Sequence, residues 1–147
     1  MHTVFLGIGT NLGDKEYNIL RAYELIEQRV GEIVKRSTLY NTEPWGFLSE
    51  NGFLNSVICV ETKLLPRDLL KATQGIEKEM GRKEKSHNGN YHDRIIDIDI
   101  LLYDDLMLSE PDLVIPHPLM EKRDFVMRPL REIREEKTDK ITKQLTS

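Results

Sequence analysis

The chain has little from which to build a disulfide and no apolar run from which to build a membrane-spanning helix. Its 147 residues hold one cysteine, Cys59, set in an apolar stretch. No internal disulfide can form, and a reducing, cytoplasmic setting is expected. No apolar run approaches membrane-spanning length, and no charged-then-apolar leader opens the chain. Internal repeats and low-complexity segments are absent. Basic residues are not in excess: 21 Lys and Arg face 25 Asp and Glu, for a net charge of −4. That balance lacks the basic field of a nucleic-acid binder, while leaving room for a local basic pocket that takes a polyphosphate. With 39% hydrophobic and 31% charged residues, the composition is that of a folding chain, and the length fits one domain over 1–147.

The most informative stretch runs over 95–103. It alternates with period two and is rich in Ile and Leu, so it reads as a β-strand apolar enough to be central. Ile96, Ile98, Ile100 and Leu102 fall on one face; Asp97, Asp99, Leu101 and Tyr103 fall on the other. Residues i and i+2 point the same way, so both carboxylates can reach a common point. Adjacent carboxylates repel and raise each other's pKa unless a cation joins them. Hard oxygen ligands on a rigid element suit Mg²⁺, with substrate phosphates completing its octahedron. Taken alone, Asp-x-Asp also fits an edge strand with solvated acids. Arg94 and the polar segment before it tip the balance towards a nucleotide site.

Along the chain, 2–9 reads as a strand and Asp14 as the N-cap of a helix that Gly31 stops. Gly7, Gly9 and Gly13 do not make a dinucleotide fingerprint, because Gly7 falls inside the strand; nor does a Gly-Lys-Ser/Thr follow, as a phosphate-binding loop of the Walker type needs. They read as glycines of a tight strand-to-helix turn. A second strand is expected over 33–40, a loop with Trp45 and Phe47 over 43–52, and a third strand over 53–62. Phe53 and Asn55 share a strand face, where an aromatic can stack on a flat heterocycle and a carboxamide can bond its edge. Pro66 opens a second helix with a stripe of Leu69, Thr73, Ile76 and Met80, which Gly81 ends. The segment 83–93 has no aliphatic residue and reads as a mobile loop. Asp104-Asp105 makes a turn, and His117 sits in a rigid, extended, proline-flanked segment. Met120 and Met127 read as core, and 135–147 as a loosely held tail. The order β-α-β-β-α-β predicts an α+β, ferredoxin-like core with the helices on one face of an antiparallel sheet and extra C-terminal elements. Such domains also bind RNA through sheet aromatics, but the acidic balance and the lack of a basic, aromatic-rich strand argue against that.

In order and at compatible spacing, Ile8-Gly9-Thr10-Asn11-Leu12-Gly13, Phe53-Leu54-Asn55, Gln74 with Glu77, Gly81-Arg82, Arg94-x-x-Asp97-x-Asp99-Ile100-Leu101, Pro116-His117 and Arg123-x-Phe125 resemble the 6-hydroxymethyl-7,8-dihydropterin pyrophosphokinases of folate biosynthesis. The matching segments span 8–130. The resemblance implies transfer of the β,γ-diphosphate of ATP to the pterin hydroxymethyl oxygen, with release of AMP. It implies that Asp97 and Asp99 hold two Mg²⁺ ions and that Arg82 and Arg94 neutralise the transferring diphosphate. Phe53 and Phe125 would sandwich the pterin, Asn55 would read its edge, and Thr42, Pro44 and Trp45 would lie nearby. Gln74, Glu77, Arg94, Ile98, His117 and Arg123 would contact ATP, and the 83–93 loop would act as a lid that excludes water. The working unit is expected to be a monomer with small-molecule substrates and no nucleic-acid or membrane partner. The chain departs from the family pattern at Tyr91-His92-Asp93, where Trp-Gly-Pro is usual, at Pro118, where Tyr is frequent, and at Asp112, where a base is frequent.

Overall fold

A computed structural model describes residues 1–42, 52–81 and 95–134. β1 (His2–Thr10) leads into α1 (Lys15–Arg29), whose N-cap Asp14 accepts a bond from the Tyr17 amide. Gly13, at φ +66, makes the turn between them. β2 (Gly31–Arg36) and β3 (Tyr40–Thr42) follow. The expected strand over 33–40 is thus two strands with a break between. Gly31 does more than stop a helix. It opens β2 against β4, where an added Cβ would lie 1.9 Å from the Glu61 carbonyl oxygen. β4 (Phe53–Thr62) is followed by α2 (Pro66–Glu79), and Gly81 at φ +111 turns the chain away. β5 (Asp97–Tyr103), the hairpin of β6 (Leu108–Glu110) and β7 (Leu113–Ile115), a 3₁₀ turn (Met120–Lys122) and a third helix, α3, over 124–134 complete the described chain.

The main sheet has the order β2-β4-β1-β5, with β3 also pairing β4, and every pairing is antiparallel. This is the expected split βαβ arrangement. β5 is the last strand of that order rather than a central one. Ile98, Ile100 and Tyr103 are nonetheless buried, because α2 and Leu113 and Ile115 of the β6–β7 hairpin pack over the same core.

Alternation along β1, β4 and β5 makes two cores, one on each side of the sheet. Val4, Leu6, Ile8, Ile58, Ile98 and Ile100 meet α1 and α2 on one side. On the other, Val57, Cys59 and Leu101 meet Val126, Leu130 and Ile133 of α3. The two helices of the core motif thus share one face, as expected, and the added C-terminal helix covers the other. Fully burying each such side chain is worth roughly 1.5–3 kcal/mol, so the C-terminal helix is a third layer with its own core.

A bulge in β5 corrects the expected faces of this strand. Phe5 pairs Leu102 and Leu6 pairs Ile100, which leaves Leu101 as the extra residue. Leu101 stays on the Asp97/Asp99 side in the α3 core, but Tyr103 crosses to the α1/α2 core and Leu102 packs against the α3 core. Period two alone puts both on the wrong side.

Candidate active site

The site forms where α3 stops covering the sheet. The pairing registers place Asp97, Gly9, Asn55 and Tyr40 in one row across β5, β1, β4 and β3. Asp99, Gly7 and Val57 form the next row. Residues directly opposite one another share a face, so both aspartates share the face of Asn55. Asp97 and Asn55 are two strand spacings apart, about 10 Å, with bare backbone between them. A Cβ at Gly9 would lie 3.0 Å from Asn55 Oδ1 and 3.7 Å from Phe53 Cδ1. One at Gly7 would touch Leu101 at 3.5 Å. Gly7 and Gly9 are thus strand residues that keep this floor flat, and of the three glycines only Gly13 serves the turn. A sharper reading of the sequence could have found this, since Gly7 and Gly9 alternate with Leu6 and Ile8.

Asn55 is 5% exposed, and its Nδ2 donates to Thr42 Oγ1 at 3.2 Å. Thr42 pairs with Phe53. An amide held this way keeps one orientation and presents a fixed edge to a ligand. Phe53 and Phe125 are each half-buried at the margin of the covered face. Phe125 lies at the start of α3 and carries the Arg123 guanidinium 5.7 Å from its ring centroid. The backbone of Arg123 starts that helix, since its carbonyl accepts from the Val126 and Met127 amides.

His117 reaches the aspartates from the other side. Its amide donates to the Leu101 carbonyl at 3.0 Å, which fastens the segment after β7 to the bulge. The Leu119 amide donates to His117 Nδ1 at 3.3 Å, and His117 Nε2 lies 4.0 Å from Asp99 Oδ1. Burial and the Arg123 guanidinium hold the imidazole below its ordinary pKa, against the opposing pull of Asp97. The neutral ring, with Nδ1 as acceptor, carries its proton on Nε2, on the Asp99 side.

Glu77 and Gln74, expected together near ATP, differ in setting. Gln74 is exposed on α2. Glu77 is 6% exposed, and its Oε2 accepts from the Ile98 amide at 2.9 Å. Asp112, where the family pattern has a base, bonds Arg67 Nη1 at 2.6 and 2.7 Å, and Arg67 also bonds Glu110. This acid therefore ties the β6–β7 hairpin to the start of α2. Arg82, Arg94, Pro44 and Trp45, the 83–93 loop and the 135–147 tail lie outside the described residues.

Residues 5–135 match the family model described as 7,8-dihydro-6-hydroxymethylpterin-pyrophosphokinase. The chain belongs to this family. Among its pyrophosphokinase relatives is the 2-amino-4-hydroxy-6-hydroxymethyldihydropteridine pyrophosphokinase of Porphyromonas gingivalis, 47% identical over 134 residues that cover 90% of this chain and 91% of the relative. The enzyme of the same name from Aquifex aeolicus is 48% identical over 133 residues, 90% of this chain and 81% of its own. A solved structure of an HPPK-DHPS in complex with substrates superposes with a TM-score of 0.69 over 90% of this chain at 16% identity, which establishes likeness of fold. This chain spans 40% of that longer protein. The pyrophosphokinase fold thus carries the ferredoxin-like core expected from the order of elements.

Proposed function

We propose that the face around Asp97, Gly9 and Asn55 is where this pyrophosphokinase of folate biosynthesis works. It moves the β,γ-diphosphate of ATP to the hydroxymethyl oxygen of 6-hydroxymethyl-7,8-dihydropterin, giving the pterin diphosphate and AMP. The single observation that carries this is the cross-strand row. A carboxylate pair and an edge-reading carboxamide stand about 10 Å apart on one rigid face, with two glycines keeping the floor between them open. Phosphoryl transfer asks mainly for in-line positioning and charge neutralisation, and this layout offers both.

The donor set at Asp97 and Asp99 fits Mg²⁺. No group of three or more His, Cys, Asp or Glu gathers among the described residues. Two hard carboxylates therefore leave positions for phosphate oxygens and water, as Mg²⁺ prefers. Held by Asp97 and Asp99, two such ions would supply positive charge that offsets the charge developing in transfer. The protein's part is placement. Asn55, fixed by Thr42, reads the pterin edge, and Phe53 and Phe125 close on its two faces, with Pro44 and Trp45 nearby. His117 and Arg123 contact ATP beside the aspartates, joined by Gln74, Glu77 and Ile98 along α2 and β5. Arg82 and Arg94 grip the transferring diphosphate, a role suited to the planar guanidinium fork. The enzyme acts as a cytoplasmic monomer on small molecules. No helix among the described residues is long and apolar enough to cross a membrane.

The test is a coupled assay with ATP, Mg²⁺ and the reduced pterin. AMP should accumulate one for one with pterin diphosphate. Pterin-dependent ADP, or no nucleotide turnover, would overturn the assignment.

A further inference from the structure

On the catalytic face, the Glu132 side chain fastens α3 to the start of β3 and to Thr38 just before it. Glu132 Oε2 accepts from the Thr38 amide at 2.8 Å, and its Oε1 accepts from Thr38 Oγ1 at 2.8 Å and from the Tyr40 hydroxyl at 2.7 Å. Next to it, Lys35 Nζ donates to the Ile133 carbonyl at 3.2 Å. No catalytic or binding role claims Glu132.

Its place along both elements gives the contact its meaning. Glu132 and Phe125 are seven residues apart on α3. That is two turns, about 10.5 Å along one side of the helix. Tyr40 and Thr42 are two residues apart on β3, about 7 Å along one face. Asn55 pairs with Tyr40 and bonds Thr42. The helix and strand are thus joined at Glu132–Tyr40. Asn55 lies in the row of that joint and Thr42 two residues along the strand, while the same helix carries Phe125 two turns from it.

We propose that Glu132 is a positioning residue that sets the width of the pterin slot, the gap between Phe125 and the Asn55–Thr42 edge. This rests on the pterin reading of that face. Charge-assisted bonds of this kind are short and directional, which suits a spacer that must hold a separation. Hydrophobic contact alone, through Val126, Leu130 and Ile133, would let the helix slide over the sheet. Burial pushes the Glu132 carboxyl up, but the hydroxyl of Tyr40 and the bonds from Thr38 outweigh it and hold the group below its ordinary value. The carboxylate is therefore charged under working conditions, as the clasp requires.

The test compares wild type with Glu132→Ala and Glu132→Gln. Glutamine keeps the length and one acceptor oxygen, so it should retain part of the clasp. Two readouts are taken. The first needs no ligand: ¹⁹F NMR of fluorophenylalanine-labelled protein, whose four phenylalanines are assigned with a Phe125→Leu control. The Phe125 resonance should shift or broaden in Glu132→Ala and less in Glu132→Gln. The second is calorimetric binding. A misplacement of about 1 Å can cost up to about a hundredfold. Glu132→Ala should therefore weaken pterin binding roughly tenfold, Glu132→Gln less, and the Mg²⁺ complex of an ATP analogue by less than about twofold. A lower melting temperature with an unchanged Phe125 resonance would overturn the inference, as would pterin and nucleotide weakening together. If wild type bound no pterin, the functional reading would fall instead, and the Phe125 resonance would still show whether Glu132 places the ring.

Discussion

The carboxylate of Glu77 on α2 accepts the backbone N–H of Ile98, the residue between the two aspartates, at 2.9 Å. Ile98 pairs with Ile8 of β1, and no further strand follows β5 in the described sheet. Glu77 thus serves as an acceptor where a neighbouring strand would have stood, and it holds the aspartate-bearing strand to α2. Glu77→Ala would leave a buried N–H without that acceptor. Such a loss costs about 1–3 kcal/mol, so urea unfolding should shift to lower midpoints. Activity should fall in parallel, since Asp97 and Asp99 flank the released amide. Unchanged stability would show that the bond is replaced at no cost.

Asp97→Ala and Asp99→Ala should each cut AMP formation by at least roughly 10²-fold, because metal clamping contributes several kcal/mol to the transition state and each ~1.4 kcal/mol is tenfold in rate. Both side chains are only partly buried, so far-UV dichroism and the melting transition should stay near wild type. Activity within a few-fold of wild type would return these residues to ordinary surface acids.

Phe53→Ala or Phe125→Ala should weaken pterin binding by about 1–3 kcal/mol, the scale of base–aromatic stacking, with a smaller effect on nucleotide. Calorimetry with each ligand separates the two. Equal losses for both would point to packing, since Phe125 also touches the α3 core.

Gly9→Ala should fold and bind pterin poorly. The new methyl would sit 3.0 Å from Asn55 Oδ1, tighter than a comfortable contact, so the carboxamide must turn from its bond with Thr42. We expect roughly tenfold weaker pterin binding, about 1.4 kcal/mol. A binding constant equal to wild type would mean the floor has slack at this point.

A pH effect follows from Asp104, which takes up the left-handed conformation at φ +47. Its carboxylate accepts from the Thr3 amide and pairs with His2, each at 2.7 Å, and these partners lower its pKa from the ordinary 3.8. The unfolded chain therefore binds the proton more readily. The stabilisation is complete above the unfolded value and drains away as pH falls from about there through the folded value. Asp104→Asn, which tolerates the same backbone angle, should lower the neutral plateau of a melting-temperature profile slightly and flatten its acid limb, so that the two profiles converge at low pH. A limb of unaltered steepness would assign the acid sensitivity to other carboxylates.

Local signals in the sequence located the elements well. Asp14, Pro66 and Gly81 mark helix ends because capping and φ restriction act within a few residues. Phe53–Thr62 was legible as a single run, largely apolar and free of glycine and proline. What escaped was set by contacts between distant segments. Neither the bulge at Leu101 nor the one between Ile33 and Lys35 leaves a mark in hydrophobic alternation. The place of β5 at the end of the sheet depends on pairing order, and its burial on a hairpin that the sequence showed only as a turn at Asp104. The α3 layer was visible as core methionines without a partner. In the site, the acids, Phe53 and Asn55 stood out by their residue types. Gly7 and Gly9 looked like turn residues because a missing side chain does not say which face it leaves empty.

The helix that buries the second core also carries Phe125, so the protein contains its own probe of whether the catalytic face is assembled. Its one thiol, Cys59, is 4% exposed and packs beneath α3. An alkylating reagent can reach it only when that cover lifts, and the labelling rate then counts liftings. On the proposed reading, a pterin held between Phe125 and Asn55 should keep the cover down and slow the count. Inhibitors of this face could be ranked by the silence of a single sulfur atom, without an assay of turnover.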